Sequence, residues 1–140
     1  MTEKKNVELI KKAYEAFLRK DYDLILENIE PRVEWEAAVG AGKKIPIGGI
    51  RHGVAEVKTY FMELEKALLI KKYEIKEYIA ENDKVVALGF YEAMVKETNK
   101  KLQTPFVAIF TIKNEKLVKY EQFVDTAALL MAFEVPMMIA

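Results

Sequence analysis

Apolar residues recur at two different periods along this chain, and the change of period divides it. Over residues 6–20, Val7, Ile10, Tyr14 and Phe17 are spaced 3, 4 and 3 apart, with Lys11, Lys12, Glu15 and Arg19 between them. That spacing predicts an amphipathic helix. Asp21 or Asp23 is placed to cap a short second helix over 24–29, which Pro31 is expected to end. Residues 32–39 alternate as Val-Glu-Trp-Glu-Ala, a strand. Residues 40–53 carry five glycines and Pro46 and read as a loop, with Gly53 as the N-cap of a third helix. In that helix Val54, Val57, Phe61, Leu64 and Leu68 repeat at 3, 4, 3 and 4. Past residue 70 the period becomes 2. Strands are predicted over 73–79, 85–97, 104–112 and 117–124, with polar turns between them, and Asp125 opens a short helix over 126–133. Helices first and strands afterwards argue an α+β domain, with the helices packed on one face of a curved antiparallel sheet.

Length and composition narrow this picture. At 140 residues and 16.1 kDa the chain makes one domain, 1–140. Folding a chain of this size leaves roughly 7,400 Å² of about 23,000 Å² accessible, so 51% hydrophobic content suffices for a core. There is no cysteine and a single histidine, His52. A thiol nucleophile, a disulfide scaffold and a multi-histidine metal site are excluded within one chain. Lys+Arg and Asp+Glu are 22 each. Five lysine pairs lie at turns and element ends, interleaved with glutamates, so no basic field forms and no nucleic-acid partner is expected. A charged N-terminus without an apolar signal core and the lack of a membrane-length apolar run give a cytoplasmic expectation, with no membrane partner. The apolar tail, with Val135, Met137, Met138 and Ile139, is expected to plug its own domain or pack across a dimer rather than touch a membrane. The glycines of 40–53 lack phosphate-loop or dinucleotide spacing and read as a rim or lid loop.

Several local patterns occur together in order: Ala13-Tyr14-Glu15-Ala16-Phe17 with Lys20-Asp21, Val33-Glu34-Trp35, Arg51-His52-Gly53, and Lys116 through Leu130 with Asp125. In these the chain resembles the SnoaL-like polyketide-cyclase group of the nuclear transport factor 2-like superfamily, relatives of ketosteroid isomerase and limonene epoxide hydrolase. The resemblance covers about residues 5–133. It implies a cone-shaped α+β barrel, a curved sheet around a pocket closed by helices, and a two-fold homodimer; the convex face of the sheet, with Lys119, Glu121, Phe123 and Tyr91, is the surface available to pair with a second copy.

Strand alternation leaves two faces per strand. The resemblance places Val86, Leu88, Phe90, Glu92 and Met94 inside, with Phe106, Ala108, Phe110 and Ile112, and with Tyr120, Gln122 and Val124. Trp35, Tyr14, Phe17 and Phe61 complete an aromatic lining suited to a small hydrophobic ligand. Glu92, as a carboxylate inside an apolar cone, is the expected acid/base. The epoxide hydrolase set is incomplete, since Phe90 and Gln122 occupy its arginine and second carboxylate positions. The isomerase set is incomplete too, with Ala108 at its protonated aspartate, Tyr14 near its tyrosine, and Glu34 and Glu36 straddling the wall around Trp35. Asp125 matches the aspartate that ends the last strand in SnoaL-like chains, but an Asp before Thr-Ala-Ala-Leu-Leu is also a helix cap, the favoured reading. His52 is either a surface residue or an acid/base partner at the mouth. A one-residue slip would exchange Gln122 for Glu121 on the inner wall. The expected function is metal-free, cofactor-free acid/base chemistry on a small apolar or polyketide-like molecule. The alternative is a non-catalytic small-molecule binder or interaction domain on the same scaffold.

Overall fold

The computed structural model describes residues 2–136. Helices α1 (Thr2–Leu18) and α2 (Tyr22–Glu27) come first, then strand β1 (Ile29–Ala37), a 3-10 turn at Gly42–Lys44, strand β2 (Gly49–His52) and helix α3 (Gly53–Ala67). Strands β3 (Leu68–Glu81), β4 (Lys84–Val95), β5 (Lys100–Lys113) and β6 (Lys116–Val124) come next, and α4 (Thr126–Ala132) closes the order. The strands form one curved, unclosed sheet in the order β2-β1-β6-β5-β4-β3. Only β1 and β6 run parallel; every other neighbouring pair is antiparallel. The fold is therefore the expected cone-shaped α+β, with a mixed sheet where an antiparallel one was predicted.

Local chemistry explains the boundaries. Asp21 caps α2, its Oδ1 accepting from the Leu24 N–H at 3.3 Å. Pro31 does not merely end α2; it lies inside β1, in the stretch where the β1–β6 register shifts between Ile29 and Glu34. A residue without an N–H is tolerated at such an irregularity. The predicted loop 40–53 contains β2, four residues that pair with β1 and carry no apolar alternation of their own. His52, rather than Gly53, is the N-cap of α3, and its N–H donates to the Glu56 carboxylate one turn on at 2.8 Å. Gly53 sits at φ +83°, which no side chain favours. Strands β3 and β5 are 14 residues each, longer than predicted, because pairing continues to the hairpin turns.

The helices cover the concave face: α3 packs on β1, α1 on β3 and β4, and α4 on β5. Burial alternates strictly along β4. On β4 the buried set is Val85, Ala87, Tyr91, Ala93 and Val95, with Gly89 among them. The expected set Val86, Leu88, Phe90, Glu92 and Met94 is half-exposed on the convex face, and Tyr91, expected outside, faces in. The reason is room. Gly89 lies opposite Phe106, whose ring crosses its backbone; a Cβ on Gly89 would come within 2.5 Å of the Phe106 Cζ and 2.4 Å of the Glu74 carbonyl oxygen. Large rings from β3 and β5 fill the concave space over the middle of β4, so β4 supplies small residues there and larger ones behind. On β5 and β6 the expected faces hold: Phe106, Ala108, Phe110, Ile112 and Tyr120 are buried, while Phe123 is 56% exposed. The tail residues Met137, Met138 and Ile139 lie outside the described residues.

Candidate functional site

A cavity of about 400 Å³ occupies the cone between the helices and the concave face. Seven aromatic side chains that line it form a closed circuit of contacts. Trp35 stacks on Tyr120 with centroids 4.1 Å apart; Tyr120 meets Phe110 at 5.1 Å and Phe110 meets Tyr14 edge-on at 5.8 Å. Tyr14 meets Tyr73 at 5.9 Å, Tyr73 meets Phe17 at 5.1 Å, Phe17 meets Phe61 at 6.4 Å, and Phe61 returns to Trp35 at 5.5 Å. These are separations at which aromatic pairs attract. Each ring comes from a different register position of α1, α3 or a strand, so the wall depends on the whole fold. Tyr60 and Tyr91 add further phenols, and Gln122 adds an amide. The charged or strongly polar lining residues, Lys5, Glu8, Lys12, Asn28 and Glu115, are all exposed and mark the mouth, which the Lys5–Glu115 ion pair bridges.

The interior is a set of neutral hydrogen-bond donors. Burial pushes the Tyr60 phenol up to about 12 and those of Tyr14, Tyr73, Tyr91 and Tyr120 upward as well. All five stay protonated at neutral pH. The Tyr14 hydroxyl and the Trp35 Nε1–H are buried and have no hydrogen-bond partner. Buried donors are nearly always paired, and both of these exceptions belong to residues that line the cavity.

Of the residues expected to bind ligand, the structure brings Tyr14, Phe17, Trp35, Phe61, Phe110, Tyr120 and Gln122 to the cavity. Phe106 is buried behind them, against Tyr73 at 5.1 Å and Tyr91 at 6.2 Å. Phe90 is on the convex face, under the Lys76 ammonium. None of the three acid/base candidates, Glu92, Asp125 and His52, reaches the interior. Glu92 is outside, bonded to the Lys101 ammonium at 3.0 Å and the Gln103 amide at 2.7 Å, and these hold its carboxyl below the usual range. It behaves as an ion-paired surface carboxylate, because the concave side of its strand is the opposite set. Asp125 caps α4, its Oδ1 accepting from the Ala128 N–H at 3.1 Å. His52 is exposed and pairs across the sheet with Glu34, on the face opposite Trp35. Glu34 and Glu36 do not straddle the wall; both lie outside on Lys119, at 3.2 and 3.5 Å. Lys119 holds Glu34 below its ordinary range, while partial burial and the Glu34 carboxylate raise Glu36.

Tyr60, Tyr73 and Tyr91 escaped the sequence reading of the lining. The available signal was the run of small residues Ala87, Gly89 and Ala93 on β4, which marks a concave wall covered by rings from its neighbours. Among the described residues no cluster of three or more metal-ligating side chains exists, and no helix is long and apolar enough to cross a membrane.

Solved structures share this fold. No curated protein matches the chain. Among solved structures it is similar to a nuclear transport factor 2-like protein from Burkholderia xenovorans, at 25% identity and TM-score 0.84, over 94% of this chain and 98% of that one. It is also similar to TerC co-crystallised with polyporic acid, at 27% identity and TM-score 0.80, over 92% and 98% of the two chains. A candidate SnoaL-like polyketide cyclase from Jannaschia sp. CCS1 shares the fold at 15% identity and TM-score 0.78, over 97% and 96%. The family model of the SnoaL-like domain matches residues 10–120, and the chain belongs to that family.

Proposed function

We propose that this chain binds a small, flat, mostly apolar molecule in the cone, as a binding protein rather than an acid/base catalyst. The observation that carries the reading is the aromatic circuit around a cavity of about 400 Å³ with two unpartnered donors, Tyr14 Oη–H and Trp35 Nε1–H, on its wall. Rings on several sides favour a planar ligand, and buried donors favour one with an oxygen acceptor. The catalytic alternative is weaker because the polar groups inside are protonated phenols, an indole and an amide, which donate or orient but do not take a proton near neutral pH. The carboxylates on the lining, Glu8 and Glu115, sit at the exposed mouth. That TerC was co-crystallised with polyporic acid supports a small organic ligand in this fold.

The test uses Trp35, the single tryptophan. Titration with polyporic acid and, separately, with uncharged methyl 2-naphthoate should quench its fluorescence saturably, at one site per chain, and raise the melting temperature. Glu92→Gln should bind as the wild type does. If neither compound binds, the reading fails; if binding is lost in Glu92→Gln, the catalytic reading returns.

A further inference from the structure

A cation in no ion pair with any described residue lies against Tyr60, one of the rings that line the cavity. Trp35 and Arg51 are direct partners across the antiparallel β1–β2 pair, so their side chains leave the same, concave face. Both touch Tyr60: the Arg51 guanidinium carbon lies 4.8 Å from the Tyr60 ring centroid, and the Trp35 ring lies 5.6 Å from it. Arg51 Nη2 donates to the Pro46 carbonyl at 2.8 Å, which fixes the guanidinium under the 43–50 segment. Its Nη1 is buried with no acceptor, as is Trp35 Nε1. Arg51 takes part in none of the ion pairs among the described residues. Trp35 and Tyr60 line the large cavity, whereas Arg51 borders a shallower depression with Lys43 and Pro46. The two spaces therefore approach each other at this cluster.

A guanidinium that has lost its water on one nitrogen and gained no acceptor is unfavourable. Arginine suits such a place only if an oxyanion completes it, because its planar fork stacks on a ring while its edge donates. The phenols on the cavity wall are neutral and favour no charge, whereas the Arg51 guanidinium beside Tyr60 favours an anion. We propose that Trp35 and Arg51 form an anion subsite that receives the carboxylate of an otherwise aromatic ligand, with the Tyr60 ring beneath it. This inference rests on the cavity being a ligand site, and it adds the ligand's class: an aryl carboxylic acid, bound as its anion.

The experiment is calorimetric titration of the full chain at pH 7 with 2-naphthoate and with its methyl ester, which share a ring system and differ in charge. The wild type should prefer the acid by about tenfold, the order expected for one charge-assisted contact. Arg51→Gln should bring the acid to the affinity of the ester, leaving the ester within about twofold of wild type. Trp35→Phe keeps the ring and removes the donor, and should weaken the acid more than the ester. Arg51→Lys should retain part of the preference, since charge remains but the fork does not. Equal affinity of the wild type for acid and ester overturns the subsite and leaves the cavity reading intact, and this measurement needs no variant to fold. Equal weakening of both ligands by Arg51→Gln also overturns it. If neither compound binds, the cavity reading falls and the subsite falls with it.

Discussion

Five phenols packed around one cavity make the protein sensitive to alkali in a specific way. Tyr14, Tyr60, Tyr73, Tyr91 and Tyr120 all hold their protons above the ordinary range because burial penalises the phenolate. The unfolded chain releases these protons near pH 10, and the folded chain later, at about 12 for Tyr60. Groups with raised native values contribute stability below the unfolded pKa and lose it as pH rises through the native one. The melting temperature should therefore be level from about pH 6 to 9 and drop steeply above about pH 10. Absorbance of phenolate should show Tyr22 and Tyr78, the less buried pair, ionising first, and the other five ionising together with loss of the fold. Five phenols titrating one by one with the fold intact would refute this. Residue type made the aromatic wall legible in the sequence, and Tyr14, Trp35 and Tyr120 were all anticipated on it. Glu92 was misplaced because alternation tells which residues share a face of a strand but not which face is inward.

At the scale of elements, Asp125 poses a choice between two roles, and the geometry separates them. Its carboxylate accepts the Ala128 N–H at the start of α4, and its own N–H donates to Thr104 Oγ1 at 2.9 Å, so it fastens the end of β6 to both the helix and β5. Asp125→Ala should destabilise the fold by about 1 kcal/mol, within the roughly 0.5–2 kcal/mol range of N-caps, and Asp125→Ser should recover most of it. Ligand affinity should not change in either variant. Chemical denaturation checks the first statement and fluorescence titration the second; loss of binding in a fully folded Asp125→Ser would overturn the cap assignment. The helices were legible because a 3.6 period and a capping residue are local signals. The hairpins of β3 to β6 were legible for the same reason, since polar turns separate alternating runs. Strand β2 was not, because Gly49-Ile50-Arg51-His52 acquires strand form only by pairing with β1. The face of β4 was hidden for a related reason. Its concave residues are small because Tyr73 on β3 and Phe106 on β5 lie over them, and neither pairing is written in the local pattern of β4.

For the whole molecule, the convex face is what the cone leaves over. It carries Phe123, 56% exposed, beside half-exposed Val107 and Ile109 on β5 and Val86, Leu88 and Phe90 on β4. Next to this apolar strip, three glutamates, Glu34, Glu36 and Glu121, surround Lys119. A sheet face of branched and aromatic side chains left half in water is costly for a monomer. We propose that two copies pair through it about a two-fold axis, so that each strip covers the other and the charged clusters lie toward the rim. Phe123 has its side chain on this face and none of it on the cavity lining. Phe123→Asp should therefore separate assembly from binding. Light scattering coupled to size exclusion should give the wild type at twice the 16.1 kDa chain mass and the variant at the chain mass, with naphthoate affinity the same in both. A wild type that stays monomeric at about 100 µM, a concentration at which interfaces of standard size are occupied, would refute the pairing. A Phe123→Asp variant that remains dimeric would move it to another face. The fold puts the cavity and the convex face on opposite sides of one sheet, and alternation along β6 joins them: Tyr120 and Gln122 line the cavity, while Lys119, Glu121 and Phe123 lie on the convex face. A substitution at one set should reach the other only through the strand's position, which is why unchanged affinity in Phe123→Asp is the sharper half of the test.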